Sequence, residues 1–334
     1  MRKRFIYNLV LFAAFGAMML TGCKDRATAS QATYRAAGIA CMEQGDYEGA
    51  VDAFEAALRQ KIGGVGADEL DICYYKGSAQ FAAGDIQAAM ATYNAIIDFD
   101  KKQADAYYLR GCLYLMQGNT EAAKTDFDNA VKYHPNEYEL YIGIYENLSG
   151  AGFVDEGELY LNQAFTIKGE AASNLDYRGR IHYLLGDYES ALTDLSAASE
   201  AGSTTAQLYL AKTYDAMGDD ETAEAYYTEY LTLNEDSREA LGAMGAIMLE
   251  KQQYAKAVTY LEKALAIESK AGEQGLMRDL VIAYEYTGAF EKAWELMQQY
   301  VALYPDDEQA QTEYIFLKNR QMKEEISSPV GVNE

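Results

Sequence analysis

Residues able to act as nucleophiles, general bases or metal ligands are scarce in this chain and poorly spaced for catalysis. There are two histidines, His134 and His182, and four cysteines, Cys23, Cys41, Cys73 and Cys112. Zinc or dithiol chemistry needs closely spaced cysteine pairs, and no CxxC occurs. No HExxH helix, GxSxG elbow, Walker loop or GxGxxG turn is present. GGVGAD, Gly63 to Asp68, lacks the third glycine and has no strand before it, and DFDKKQ, from Asp98, lacks the glycine and later acid of a calcium loop. Carboxylate pairs occur all along the chain, so none singles out a site. No catalytic residue, metal or cofactor is therefore expected. His182 reads as a packed residue, His134 as a turn residue, and Cys41, Cys73 and Cys112 as small buried hydrophobes. What remains is binding chemistry: 29 tyrosines interspersed with arginines and lysines, of which the tyrosines and arginines are types that dominate binding hot spots.

The elements that position these side chains repeat. GDYEGAVDAF at Gly45 is nearly copied as GDYESALTDL at Gly186. The same place is taken by Gly84, Gly118, Gly152, Gly218, Gln252 and Gly288, at spacings of 32 to 39 residues centred on 34. Five residues on comes a small residue (Ala50, Ala89, Ala123, Gly157, Ala191, Ala223, Ala257, Ala293), and four further a large one (Phe54, Tyr93, Phe127, Leu161, Leu195, Tyr227, Leu261, Met297). A fixed period of this length means stacked supersecondary units. Within the third period, Tyr107, Gly111 and Tyr114, then Ala123, Phe127 and Ala130, fall at helical spacing, so each unit is two amphipathic helices. A turn glycine ends the first helix and the aspartate or asparagine after it caps the second. With three prolines and abundant helix formers, an all-α chain follows.

This pattern resembles the tetratricopeptide repeat: Tyr107, Gly111, Tyr114, Ala123, Phe127, Ala130 and Pro135 match its signature, with Arg110 standing where a leucine is usual. The resemblance implies a right-handed α-solenoid of about eight two-helix units at 31–64, 70–103, 104–137, 138–171, 172–203, 204–237, 238–271 and 274–307. A polar-faced capping helix at 308–326 closes the array, and 327–334 forms a flexible tail. In the fourth unit the two small positions, Tyr145 and Gly157, are inverted in size order, and the seventh lacks its glycine. Local packing should deviate there, and the 61–69 loop should be irregular.

The first residues obey a different logic. Arg2, Lys3 and Arg4 precede a sixteen-residue run, Phe5 to Leu20, with one polar member, Asn8. That is short for a spanning helix and fits a secretory signal peptide. Leu20-Thr21-Gly22-Cys23 resembles the bacterial lipobox, which implies removal of 1–22, diacylglycerol on Cys23, and a lipidated tether over 23–30. Removing the three leader cations takes the formal charge from -24 to about -27. Lys24 after the cysteine, rather than aspartate, points to the outer membrane where the host has one.

In tetratricopeptide arrays the concave wall is built from first helices. The corresponding positions here hold Tyr74, Tyr75, Tyr108, Tyr177, Tyr183 and Tyr209, with Arg35, Arg180, Lys212 and Arg278 and the acids Asp71, Asp105, Glu146, Asp176 and Asp215. Two readings stand: a ligand groove centred on Tyr74, Tyr75, Tyr108, Tyr177, Arg180, Tyr183, Tyr209 and Lys212, or tyrosine as an amphipathic filler. Arg35 and Ile39 replace the lysine and asparagine of the chaperone-tail clamp, so that activity is not expected. A net charge of -24 without a basic stripe argues against nucleic acid. The expected function is a membrane-tethered, non-enzymatic scaffold that binds an unidentified protein or peptide in cell-envelope assembly. The alternative is an accessory component of an envelope enzyme or transport system, contacting a glycan or hydrolase.

Overall fold

The computed structural model describes residues 26–60, 65–168, 172–267 and 272–327. Among them the regular structure is α-helical throughout: α1 (Arg26–Glu43), α2 (Tyr47–Arg59), α3 (Ala67–Ala82), α4 (Ile86–Phe99), α5 (Ala104–Met116), α6 (Thr120–Tyr133), α7 (Tyr138–Gly150), α8 (Val154–Ala164), α9 (Ala172–Leu184), α10 (Tyr188–Glu200), α11 (Thr204–Ala216), α12 (Asp220–Leu233), α13 (Arg238–Glu250), α14 (Tyr254–Ala266), α15 (Glu273–Thr287), α16 (Phe290–Leu303) and α17 (Glu308–Ser327). The chain divides into two compact units, residues 1–169 and 170–334. In the first, α1–α8 form four antiparallel hairpins; in the second, α9–α16 form four more, followed by α17. Within each unit, every second helix also packs on the first helix of the next hairpin.

Each hairpin closes by the chemistry of its turn. Gly45, Gly84, Gly118, Gly152, Gly186, Gly218 and Gly288 all have positive φ, between +75° and +92°, where a Cβ is unwelcome. The side chains of Asp46, Asp85, Asn119, Asp187 and Asp219 then accept from the backbone N–H three residues on, at 2.9 to 3.3 Å. That satisfies one of the open donors of each second helix.

The hairpin core is an interlock of a small position with a large one. Phe54, Tyr93, Phe127, Leu161, Leu195, Tyr227, Leu261 and Met297 are all 0–1% exposed. A Cβ added at Gly38, Gly77, Gly111, Gly179 or Gly245 would lie 2.5 to 2.7 Å from Phe54, Tyr93, Phe127, Leu195 or Leu261 respectively. The first helix therefore gives up its side chain so that the second can insert one. The fourth hairpin reverses the arrangement. Tyr145 occupies the first-helix position, and a Cβ on Gly157 would come within 3.0 to 3.3 Å of it, so the inverted sizes are one compensated pair.

Several expectations need adjustment. Helix α1 begins at Arg26, so five residues assigned to a tether, 26–30, are helical; the RATAS sequence contains nothing that breaks a helix. Gly66 precedes α3, and its N–H donates to Glu69 Oε2 at 2.7 Å, so part of the expected 61–69 irregularity is an ordered helix start. Residues 61–64, the leader with Cys23, and the tail from 328 lie outside the described residues. Arg110, the departure from the leucine pattern, forms a two-pronged ion pair with Asp126, both contacts 2.7 Å, and reaches Asn94 at 2.6 Å.

Candidate functional site

The tyrosines and cations assigned to the groove separate into two groups, one in each unit. In the second unit, α9 carries Tyr177, Arg180 and Tyr183 on one face at helical spacing, and the adjacent first helix α11 carries Tyr209 and Lys212. These five side chains meet. The Arg180 guanidinium lies 5.2 Å from the Tyr177 ring centre and 5.0 Å from that of Tyr209. Lys212 Nζ lies 4.5 Å from Tyr209 and 5.3 Å from Tyr183, and the Tyr183 and Tyr209 rings meet edge to face at 5.6 Å. Such contacts are cation–π pairs of moderate strength. All five residues are half-buried, with part of each surface open to solvent.

Lys212 also pairs with Glu239 of α13 at 2.6 Å. Burial disfavours its ammonium, but Tyr209 and Glu239 outweigh that and hold its pKa above the ordinary lysine value. Burial raises the Tyr183 phenol, partly offset by Lys212. The patch is therefore a cationic, aromatic surface in which Lys212 and Tyr183 stay protonated at neutral pH.

In the first unit the assigned residues do not assemble in this way. Tyr74 donates to Gln103 Oε1 at 3.1 Å, joining neighbouring hairpins. Tyr75 stacks on Phe54 at 5.7 Å, under Arg35 at 5.0 Å, and Arg35 is itself paired with Asp71 at 2.6 Å. Tyr108 is a correction: it is 1% exposed, deep in the core, and its hydroxyl accepts from Asn147 Nδ2 at 2.9 Å. Room for it comes from Gly143 on α7, where a Cβ would lie 2.7 Å from the hydroxyl. The sequence signal was available in that glycine, 35 residues after Tyr108 on the next first helix.

Other candidates for chemistry have structural surroundings. His182 lies between Asp187 (3.3 Å) and Asp194 (3.8 Å), with Arg178 3.3 Å from Asp194; sequence reasoning missed this charge cluster. His134 is half exposed, 3.8 Å from Asp105. Cys41, Cys73 and Cys112 are free thiols, and burial pushes Cys73 and Cys112 above the usual thiol range, away from reactivity. Among the described residues no cluster of three His, Cys, Asp or Glu side chains is placed to hold a metal, and no helix is long and apolar enough to cross a membrane.

Comparison with known proteins agrees with the fold. A solved tetratricopeptide repeat protein from Parabacteroides merdae superimposes with a TM-score of 0.55 at 16% identity, over 76% of this chain and 99% of that one. A chain of the APC/C hetero-tetramer Cut9–Hcn1 gives 0.53 at 13% identity, over 84% of this chain and 54% of that one. Human tetratricopeptide repeat protein 6 is 25% identical over 221 residues, 64% of this chain. The present chain spans about two fifths, 41%, of that relative's length. Sequence models described as tetratricopeptide repeat match residues 35–106 and 178–238, 104–137, and 239–270. Together these matches take in more than half of the chain, which belongs to the tetratricopeptide repeat family.

Proposed function

We propose that this protein is a non-enzymatic scaffold, tethered to a membrane through lipid on Cys23, whose first-helix face grips a protein partner in cell-envelope assembly. The observation that carries the reading is the cluster of Tyr177, Arg180, Tyr183, Tyr209 and Lys212. Its aromatic and cationic side chains are held by one another and stay partly open to solvent. Aromatic and arginine side chains fixed in this way supply hot-spot contacts at low entropic cost. Membership of a family that binds protein partners favours protein over glycan, and one of the structural relatives sits in a hetero-tetramer. The basic start, short apolar run and Leu20-Thr21-Gly22-Cys23 sequence support the anchor.

The test is a pull-down from detergent extract with the wild-type chain and with Tyr177→Ala and Tyr209→Ala. One protein should be enriched by the wild type and depleted by both variants. Retention on peptidoglycan or another glycan alone would replace the scaffold reading with the accessory-component one. The anchor has its own test. Cys23→Ala should abolish incorporation of labelled fatty acid and leave unprocessed precursor, because the thioether requires the thiol. Normal labelling of that variant overturns the anchor.

A further inference from the structure

The charges of the first-helix face distinguish one of its cations from the other three. Arg35 is neutralised by Asp71, Lys212 by Glu239 and Arg278 by Glu313, each at 2.6 Å and each from the next first helix. Arg180 has no such acid. Asp71 and Glu313 stand 36 and 35 residues after their arginines, and the acid at the equivalent distance from Arg180 is Asp215. Burial and nearby Asp220 raise the pKa of the Asp215 carboxyl, and the helix opposite Arg180 offers Tyr209, whose ring Arg180 shares with a second cation, Lys212. Among the described residues Arg180 forms no ion pair, and its Nε is buried without a hydrogen-bond acceptor.

Resting on the groove reading above, we infer that Arg180, flanked by Tyr177 and Tyr209, receives an acidic side chain of the bound partner segment. A carboxylate offers two acceptors to the planar guanidinium fork. The rings displace water around the contact and strengthen it. The whole-chain charge of -24 repels anions at long range, but screening over about 8–10 Å leaves the local cation to decide a contact at ion-pair distance. That same charge favours a peptide over an anionic polysaccharide. Repeated carboxylates along a glycan would meet Glu239, which is seated on the neighbouring Lys212, whereas a lone acidic residue among neutral neighbours would not.

The experiment selects from a random peptide library displayed on phage, with peptide C-termini fused to coat protein so that only side-chain carboxylates are on offer. Wild-type chain should recover peptides enriched in Asp or Glu. Those peptides should bind Arg180→Gln at least tenfold more weakly and Arg180→Lys at an intermediate level. Melting followed by fluorescence of Trp294, the one tryptophan in the chain, checks folding of the second unit. Changing the peptide's acid to its amide should give the same loss with the unaltered protein, so the inference stays testable if Arg180→Gln unfolds. Peptides recovered without acidic enrichment, or bound equally by Arg180→Gln, overturn the acid assignment while leaving the groove intact. If wild type recovers no peptide, the groove reading fails and this inference with it. If polygalacturonate binds wild type in an Arg180-dependent manner and no peptide does, the occupant is an anionic glycan and the peptide assignment is overturned.

Discussion

Two tyrosines that look interchangeable in the sequence have opposite fates in the structure, and the difference decides what mutating them does. Tyr108 is 1% exposed and hydrogen-bonded to Asn147, whereas Tyr177 is half-buried beside Arg180. Tyr108→Ala should cost about 3–5 kcal/mol, the range for truncating a buried aromatic, and also leaves the Asn147 amide short of a partner. Tyr177→Ala should cost under about 1 kcal/mol, since it loses a partly solvated cation–π contact. Urea denaturation of the two variants side by side measures this. A Tyr177→Ala loss as large as that of Tyr108→Ala would place Tyr177 in the core and remove it from the binding face. First-helix spacing alone put both residues on the wall. It could not tell them apart, because burial depends on whether the next first helix carries a glycine opposite, as Gly143 does for Tyr108. Likewise the neutralised state of Arg35, Lys212 and Arg278 depends on acids 27 to 36 residues away, a distance set by how one repeat stacks on the next.

At the scale of the element, the hairpin was legible because its determinants are short-range: a left-handed turn residue, a cap and a small–large pair all fall within one period. Glycines in helices make the point testable. A Cβ at Gly245 would lie 2.5 Å from Leu261, whereas one at Gly275 meets nothing within 4 Å. Gly245→Ala should therefore destabilise by about 1–3 kcal/mol through overpacking. Gly275→Ala should stabilise by up to about 1 kcal/mol through helix propensity. Thermal melts that move in the same direction for both would refute the interlock. The seventh turn is the complementary case. Gln252 is the one non-glycine with positive φ among the described residues, at 56°, a conformation that costs a side-chain-bearing residue about 1–2 kcal/mol. Part of that gain is offset by the extra freedom glycine brings to the unfolded chain. Gln252→Gly should thus raise stability by about 0.5–1 kcal/mol, and a loss on denaturant titration would mean that the glutamine side chain contributes a contact of its own. The fourth hairpin was the hardest to read. Its inverted sizes at Tyr145 and Gly157 are visible in the sequence, but only their contact shows that the two changes compensate one another.

For the whole molecule the dominant quantity is charge, 28 basic against 52 acidic side chains. Self-repulsion of that surplus opposes the compact state, and individual carboxylates report it. Burial raises the pKa of Asp279, and burial together with nearby Glu313 raises that of Glu285. Each has a folded value above the unfolded one, so its contribution to stability is full below the ordinary carboxylate pKa of about 4 and is lost as pH rises through the folded value. The reverse holds for Glu262, lowered by hydrogen bonds from Tyr284 and Lys292, and for Glu55, lowered by Lys76. They contribute above the ordinary value and lose that contribution only as pH falls through their depressed ones. The two sets act in different windows. Between neutrality and about pH 5 the raised carboxylates and the fading repulsion act together, so the melting midpoint should climb as the solution is acidified. Below about pH 4 the lowered set protonates in the native state and the midpoint should fall again. Glu285→Gln removes one raised group and one like-charge contact with Glu313, and should melt higher than wild type at pH 7.5 while showing a smaller gain on going to pH 5. A midpoint that is flat or falling across that interval, or a Glu285→Gln profile parallel to wild type, would mean that the acidic surplus is spread too thinly through solvent to be felt by the fold.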